Sequence, residues 1–496
     1  MVTRTTPQKR PLDKRLPEKR RPSEPPPPPD LPDLPDLSAN TDGEPISKVD
    51  LAWLRMDTPA NLMMILGVWT IKPALSYATV CQRLEQRLRQ YPRFAQRVQW
   101  ETIGARWVAD PDFHIQHHVV REHLPSHPAG AAQQALQDRL AELASRPLDM
   151  NRPLWQFHLV EHHDGGSALL ARIHHCMADG LALLAVTQSL VDGGTPPPKP
   201  PASAPPEGAN GALDGWLAHT LVQPLAGVTV KALDRAGSGE LVKLGYQLAR
   251  DAAALALLPD DSTTRLKGAP GPAKRVGWGQ ALPLDEVKAV GRALSCSVND
   301  VLLSCVAGAI GAYLRGLGDD TDGREIRAMV PVNLRPLAQA HQLGNHFGLA
   351  PLVLPIGLAH PLERLYEVRR RMREMKSSQQ PLLAYGLLAV AGTLAKPAQD
   401  LLLSYFSRKT TAVMTNVVGS AEKLKFCGAT LEQCLFWVPQ SGTVGLGVSI
   451  LSYGGGVQFG LISDEGLCPE PQRIVDGFEP EFARLTLLAL MLPWGD

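Results

Sequence analysis

Among 496 residues the chain has no Cys-x-x-Cys pair. Its seven cysteines (Cys81, Cys176, Cys296, Cys305, Cys427, Cys434 and Cys468) are scattered and odd in number. That argues against a disulfide framework or a zinc site and favours reduced thiols in the cytoplasm. A net charge of +1 gives no bulk attraction for nucleic acid, and no aromatic-plus-basic patch suggests a base-stacking surface. A continuous apolar run of about 18 residues, as a spanning helix needs, is not evident. The nearest stretch, Pro381 to Ala395, is short and broken by glycine, so a buried or interfacial helix is expected there. A Gly-x-Ser-x-Gly elbow is missing, which argues against a lipase. Gly442, Gly445 and Gly447 lie among strand-like residues and make no dinucleotide fingerprint. His114, His117 and His118 lack the partners a metal site would need, so no metal is expected. The first residues lack the apolar core of a secretory signal.

What the chain does have is enough apolar residue, 44% against 20% charged, to bury a substantial core. Its length implies more than one domain. Residues 1–44 read as a disordered basic and Pro-rich tail that could touch anionic lipid. Residues 45–192 form a first mixed α/β lobe, 193–212 a Pro-rich linker, 213–270 a helical connector and 271–496 a second mixed lobe. Ser47 with Asp50 caps a short helix through Trp53. A strand follows at about 61–71 and a helix at 75–90. Residues 106–108 and 113–119 read as extended, 130–145 as helix, and 153–160 and 168–174 as a hairpin. A helix begins at Gly180. Two helices are expected within 213–258. In the second lobe, 276–282 reads as strand, 284–294 as helix, and Ser297-Val298-Asn299-Asp300 caps a long apolar helix over 301–314. Asn299 or Asp300 serves as N-cap there. Strands follow at 325–331, 347–354, 412–417, 445–452 and 456–462.

The most informative stretch is Ala168 to Gly180, where an apolar strand ends in His174-His175 and continues as Cys176-Met177-Ala178-Asp179-Gly180. Adjacent strand residues face opposite sides, so one imidazole can enter a cleft while the other packs into the scaffold. An imidazole at such a site can serve as a general base, because its ordinary pKa lies near working pH. Fourteen histidines, with further pairs at His117-His118 and His162-His163, make a bare His-His uninformative. Its place after a strand and before Asp-Gly is what singles this pair out. Asp179 can instead be a simple N-cap of the following helix, and both roles are compatible.

This His-His-x-x-x-Asp-Gly stretch resembles the signature of the CoA-dependent acyltransferase superfamily. Further blocks resemble bacterial wax ester synthase/acyl-CoA:diacylglycerol acyltransferases: Pro153-Leu154-Trp155, Val298-Asn299-Asp300-Val301-Leu302, Val330-Pro331-Val332-Asn333-Leu334-Arg335, Leu343-Gly344-Asn345-His346-Phe347-Gly348, Thr415-Asn416-Val417-Val418-Gly419 and Phe459-Gly460-Leu461-Ile462-Ser463-Asp464. Val418 replaces a usual proline, and Asn61-Leu62-Met63-Met64 lacks the usual Pro-Met-His. The resemblance implies two chloramphenicol-acetyltransferase-like lobes of mixed sheets flanked by helices, with the site at their interface. It implies acyl transfer from acyl-CoA to diacylglycerol or a long-chain alcohol, giving triacylglycerol or wax ester, with no cofactor.

In that reading His175 is the general base and His174 its packed neighbour. Asp179 orders the loop by pairing with an arginine, for which Arg335 is the candidate, and Gly180 permits a tight turn. Asn299, Asp300 and Asn416 are supporting residues, Asn416 as a donor near the oxyanion or CoA. Cys176 is packing. The apolar stretches 382–394, 401–406 and 485–492 either line an acyl tunnel, meet a lipid surface, or are ordinary core. A cytoplasmic protein is expected, with peripheral attachment at the inner membrane or lipid inclusions as a further option. The alternatives are a superfamily member with another alcohol acceptor and an inactive relative that binds lipid surfaces.

Overall fold

In the computed structural model the described residues are 43–125, 131–194, 257–334, 342–376 and 380–492. The tail, most of the linker and connector, and Arg335 lie outside them. Ser47 caps the first helix, Lys48–Arg55, by accepting the Asp50 N–H at 3.1 Å, as the sequence pattern requires.

Two sheets organise the rest. The first runs, from edge to edge, Lys425–Phe426, Ala429–Trp437, Met64–Lys72, Gly166–His174, Trp155–His163 and Val119–Glu122. All its pairings are antiparallel except the last. The second runs Phe347–Leu354, Ile326–Asn333, Ala412–Val418, Leu446–Tyr453, Gly456–Asp464 and Lys274–Trp278, with Leu282–Pro283 also on Gly456–Asp464. A small third sheet joins Glu44–Pro45, Ala105–Ala109 and Gln96–Trp100.

The strand Ala429–Trp437 corrects the sequence division of the chain. It comes from the second half yet pairs with Met64–Lys72 in the first sheet. A boundary near 271 therefore divides the sequence but not the sheets. One cluster of side chains packs this joint: Leu66 and Val68 from the first sheet, Trp278 and Ile462 from the second, and Leu435 and Trp437 from the inserted strand. Fully burying side chains of this size stabilises by roughly 1.5–3 kcal/mol each, so the two sheets share a core.

Two other expectations change. Residues 113–119 are not all extended: Ile115–His118 forms one helical turn before the strand Val119–Glu122. The helix expected over 301–314 begins earlier, at Val298, and ends at Gly316. It is long and apolar enough to cross a bilayer by composition, but 78% of that stretch is buried inside the protein. Val301, Leu302, Val306 and Ile310 form the centre of the second lobe's core.

Candidate active site

The motif strand Gly166–His174 is central in the first sheet, between Met64–Lys72 and Trp155–His163. Its last residue and the next one part company, as the two-residue period demands. His174 is 1% exposed; its Nδ1 accepts the Cys176 N–H at 3.1 Å, and its Nε2 stands 3.3 Å from Asp57 Oδ2. Asp57 in turn accepts the Met63 N–H at 2.5 Å. His174 is thus packed in the scaffold and does not line the cavity that His175 reaches.

His175 sits on the other side and lines a cavity of about 450 Å³. Its ring lies flat on Trp53, centroids 4.2 Å apart and planes 9° apart, and tilts against Phe347 at 5.5 Å. Nδ1 is buried and makes no well-formed hydrogen bond, which leaves Nε2 as the nitrogen open to the cavity. Burial drives the imidazole pKa down to about 4, against smaller upward pulls from its own carbonyl, the Asp179 carboxylate and the Asn345 side chain. The ring is therefore neutral at pH 7 and able to accept a proton. Cys176 is fully buried, and burial holds its thiol well above the usual range, so it is packing and not a nucleophile.

The main chain at His175 is fixed from both sides. Its N–H donates to the Met63 carbonyl at 2.7 Å, and its carbonyl accepts from Asn345 Nδ2 at 2.7 Å. The same Nδ2 donates to Asp50 Oδ1 at 2.7 Å, and the Asn345 N–H reaches that oxygen at 3.0 Å. Arg93 stands 3.8 Å from Asp50 Oδ2. Burial raises the Asp50 pKa, while Arg93 and the Asn345 bonds oppose that. Gly344 completes the clamp: its φ is +102°, and a Cβ there would lie 3.3 Å from Asp50 Oδ2.

Asp179 combines its two suggested roles. It is the N-cap of the helix Gly180–Leu190, accepting the Ala182 N–H at 2.9 Å, and its other oxygen accepts the His346 N–H at 2.9 Å. Its own N–H donates to the Gly344 carbonyl at 3.2 Å. The carboxylate thus ties the motif turn to the segment 344–346 from the chain's second half. Whether Arg335 joins it lies outside the described residues. Gly180 is not at a tight turn: it is the first helical residue, with an ordinary φ, and a Cβ there would meet nothing within 4 Å. What its missing side chain leaves open is the cavity, which it lines.

The other supporting residues separate. Asn416, on Ala412–Val418, lines the cavity and donates from Nδ2 to Asn299 Oδ1 at 2.9 Å. Asn299 thus positions a polar group in the site. Neither Asn299 nor Asp300 is the helix N-cap; Ser297 is, and Asp300 closes a capping box by accepting the Ser297 N–H at 2.8 Å. Asp300 is absorbed by that local role.

The remaining wall is apolar. Met329, Pro331 and Asn333 alternate along one face of the second sheet, and Leu387, Leu403 and Phe406 come from the apolar stretches suspected in the sequence. The third stretch, 485–492, does not line the cavity: Leu485 is core, and Leu487, Leu490 and Met491 are exposed. Among the described residues no three His, Cys, Asp or Glu side chains converge as a metal site. His118 instead bonds the Trp155 carbonyl at 2.8 Å through Nδ1. The sequence gives Trp53 and Asn345 no role at the site, and Asp50 only that of a helix cap. Asn345 lay inside a recognised block, but only its contact with a residue 295 positions away reveals the clamp.

Residues 46–302 match the family model described as "Wax ester synthase/diacylglycerol acyltransferase catalytic domain", and 343–486 match the "WS/DGAT C-terminal domain". A probable diacylglycerol O-acyltransferase of Mycobacterium tuberculosis (strain ATCC 25618 / H37Rv) is 28% identical, covering 90% of this chain and 96% of that protein. Among solved structures, the wax ester synthase/diacylglycerol acyltransferase of Marinobacter aquaeolei VT8 superposes with a TM-score of 0.63 at 24% identity, over 90% of this chain and all of that one. The starter condensation domain of rhizomide synthetase, in complex with C8-CoA, gives 0.53 at 17% identity over 92% of this chain and 96% of that one. Both likenesses are of fold, a mixed α/β architecture of two lobes.

Proposed function

We propose that this chain, which belongs to the wax ester synthase/diacylglycerol acyltransferase family and is an O-acyltransferase acting on diacylglycerol or a fatty alcohol, works through His175 as its general base. The observation that carries the reading is a neutral, stacked imidazole with one nitrogen open to a large apolar cavity.

The acceptor hydroxyl donates its proton to His175 Nε2 as its oxygen attacks the thioester carbon of acyl-CoA. The carbonyl π electrons move to oxygen, and the tetrahedral centre collapses to the ester as the C–S bond breaks. The thiolate leaves with the proton returned from Nε2. Positioned proton transfer of this kind contributes about 10²–10⁴-fold. Asn416, held by Asn299, supplies a polar group for the developing oxyanion or for CoA. A thioester is already activated, so no metal or redox group is called for.

A cavity walled by Met329, Leu387, Leu403 and Phe406 suits long-chain substrates. At its rim Val418 is 78% exposed, and Leu401, on the helix that carries Leu403 and Phe406, is 76% exposed. These apolar side chains support peripheral contact of a cytoplasmic enzyme with a membrane or lipid inclusion. Incubating the purified chain with palmitoyl-CoA and either hexadecanol or dioleoylglycerol tests the reading. Ester and free CoA in equal amounts are expected; no ester with either acceptor would refute it.

A further inference from the structure

A second, smaller cavity of about 90 Å³ lies between the helix Gly180–Leu190 and the first sheet. It shares Gly180, Leu184 and Phe436 with the large one, so the two spaces adjoin at these three residues. Its floor includes Leu169, Ala171 and Ile173, alternate residues of the motif strand. By the two-residue period these face the same side as His175, two positions beyond Ile173. The row of side chains that floors the small cavity therefore ends at the imidazole. The space beside Gly180 at this junction is open: a Cβ there would touch nothing within 4 Å. The small cavity is almost wholly apolar, and its space is kept by small residues, Gly67 and Ala171, where neighbours on the same strands are large.

We infer that the aliphatic tail of a substrate threads past Gly180 into this second cavity, and that Ala171 and Leu184 set how long that tail can be. The inference rests on the acyltransferase reading above. Its ligand is a saturated hydrocarbon chain, delivered either as the acyl group or as the acceptor alcohol. A tail that stops in the large cavity leaves the small one unfilled, and one that reaches it gains about four-fold in affinity per buried methylene.

The test measures CoA release by the wild type, Ala171→Val and Leu184→Ala. One arm uses saturated acyl-CoAs from octanoyl to stearoyl at a fixed alcohol, the other a matching alcohol series at fixed acyl-CoA. Ala171→Val should lower the specificity constant for the longest chains at least about four-fold relative to the shortest. Leu184→Ala should shift the preference the opposite way, and it keeps the test alive if the valine overpacks the strand. A shift in the first arm assigns the acyl tail, and one in the second arm assigns the acceptor tail. Variants that turn over with the wild-type profile in both arms overturn the inference alone. A wild type that releases no CoA with any pair overturns the acyltransferase reading and this inference with it.

Discussion

Trp53 lies parallel to His175 with 4.2 Å between ring centroids, from a helix more than a hundred residues earlier in the chain. The indole does two things at once. It fixes the plane of the imidazole, and it keeps water from one of its faces, which is part of why burial lowers the ring's pKa. Trp53→Ala should cost about 3–5 kcal/mol of stability, lower kcat, and move the acidic limb of the pH–rate profile upward from about 4 towards the ordinary histidine range. Trp53→Phe should keep most of the stacking. A profile unchanged in Trp53→Ala would show that the stack does not tune the base.

Asn345 joins the His175 carbonyl to the buried Asp50 carboxylate through one amide nitrogen. Asn345→Ala removes one bond to the Asp50 carboxylate and one to the His175 carbonyl, leaving both buried acceptors short of a donor, at a cost of about 2–4 kcal/mol. Turnover of the folded fraction should fall as well, because the main chain carrying the base is released. Melting curves paired with kcat check both parts. Loss of stability with full kcat would make the clamp purely structural.

The neighbouring histidines should separate cleanly. His174 contacts Cys176 and Asp57 inside the scaffold, so His174→Ala should lower the melting temperature while molecules that remain folded keep most of their activity. Asp179 holds a helix cap and the His346 N–H. Asp179→Ala should destabilise by about 1–3 kcal/mol, while Asp179→Asn keeps the cap and most of the stability.

Acid should unfold the protein through its buried neutral histidines. His175 and His158 both have pKa values lowered to about 4, chiefly by burial. In the unfolded chain they titrate near 6.5. Between those values the unfolded state binds more protons than the folded one, so stability is full above about 6.5 and falls as pH drops towards 4. Chemical denaturation between pH 7.5 and about 4.5 measures this slope, and replacing His158 by Gln should flatten it.

Local chemistry was legible in the sequence, and distant pairing was not. Ser47 and Asp50 announced their helix by spacing alone, the strand Phe347–Leu354 could be read to its ends, and the family blocks pointed to His175. The turn Ile115–His118 was misread because its residues favour extended structure as much as helix, and four residues carry no period. The strand Ala429–Trp437 escaped because polar Glu432 and Gln433 interrupt its alternation at the irregular pairing between Leu431 and Gln433. Its placement in the first sheet depends on partners more than 350 positions away, which no local pattern encodes. The same holds for Asn345 and Trp53: each has an ordinary residue type, and its role exists only once two distant segments meet at His175.

The most direct test compares single-turnover CoA release by the wild type and His175→Ala, with palmitoyl-CoA and an alcohol acceptor, on samples matched for melting temperature. The account predicts a rate lower by at least about 10²-fold with palmitoyl-CoA binding retained. A folded His175→Ala that releases CoA within about ten-fold of the wild type would contradict it.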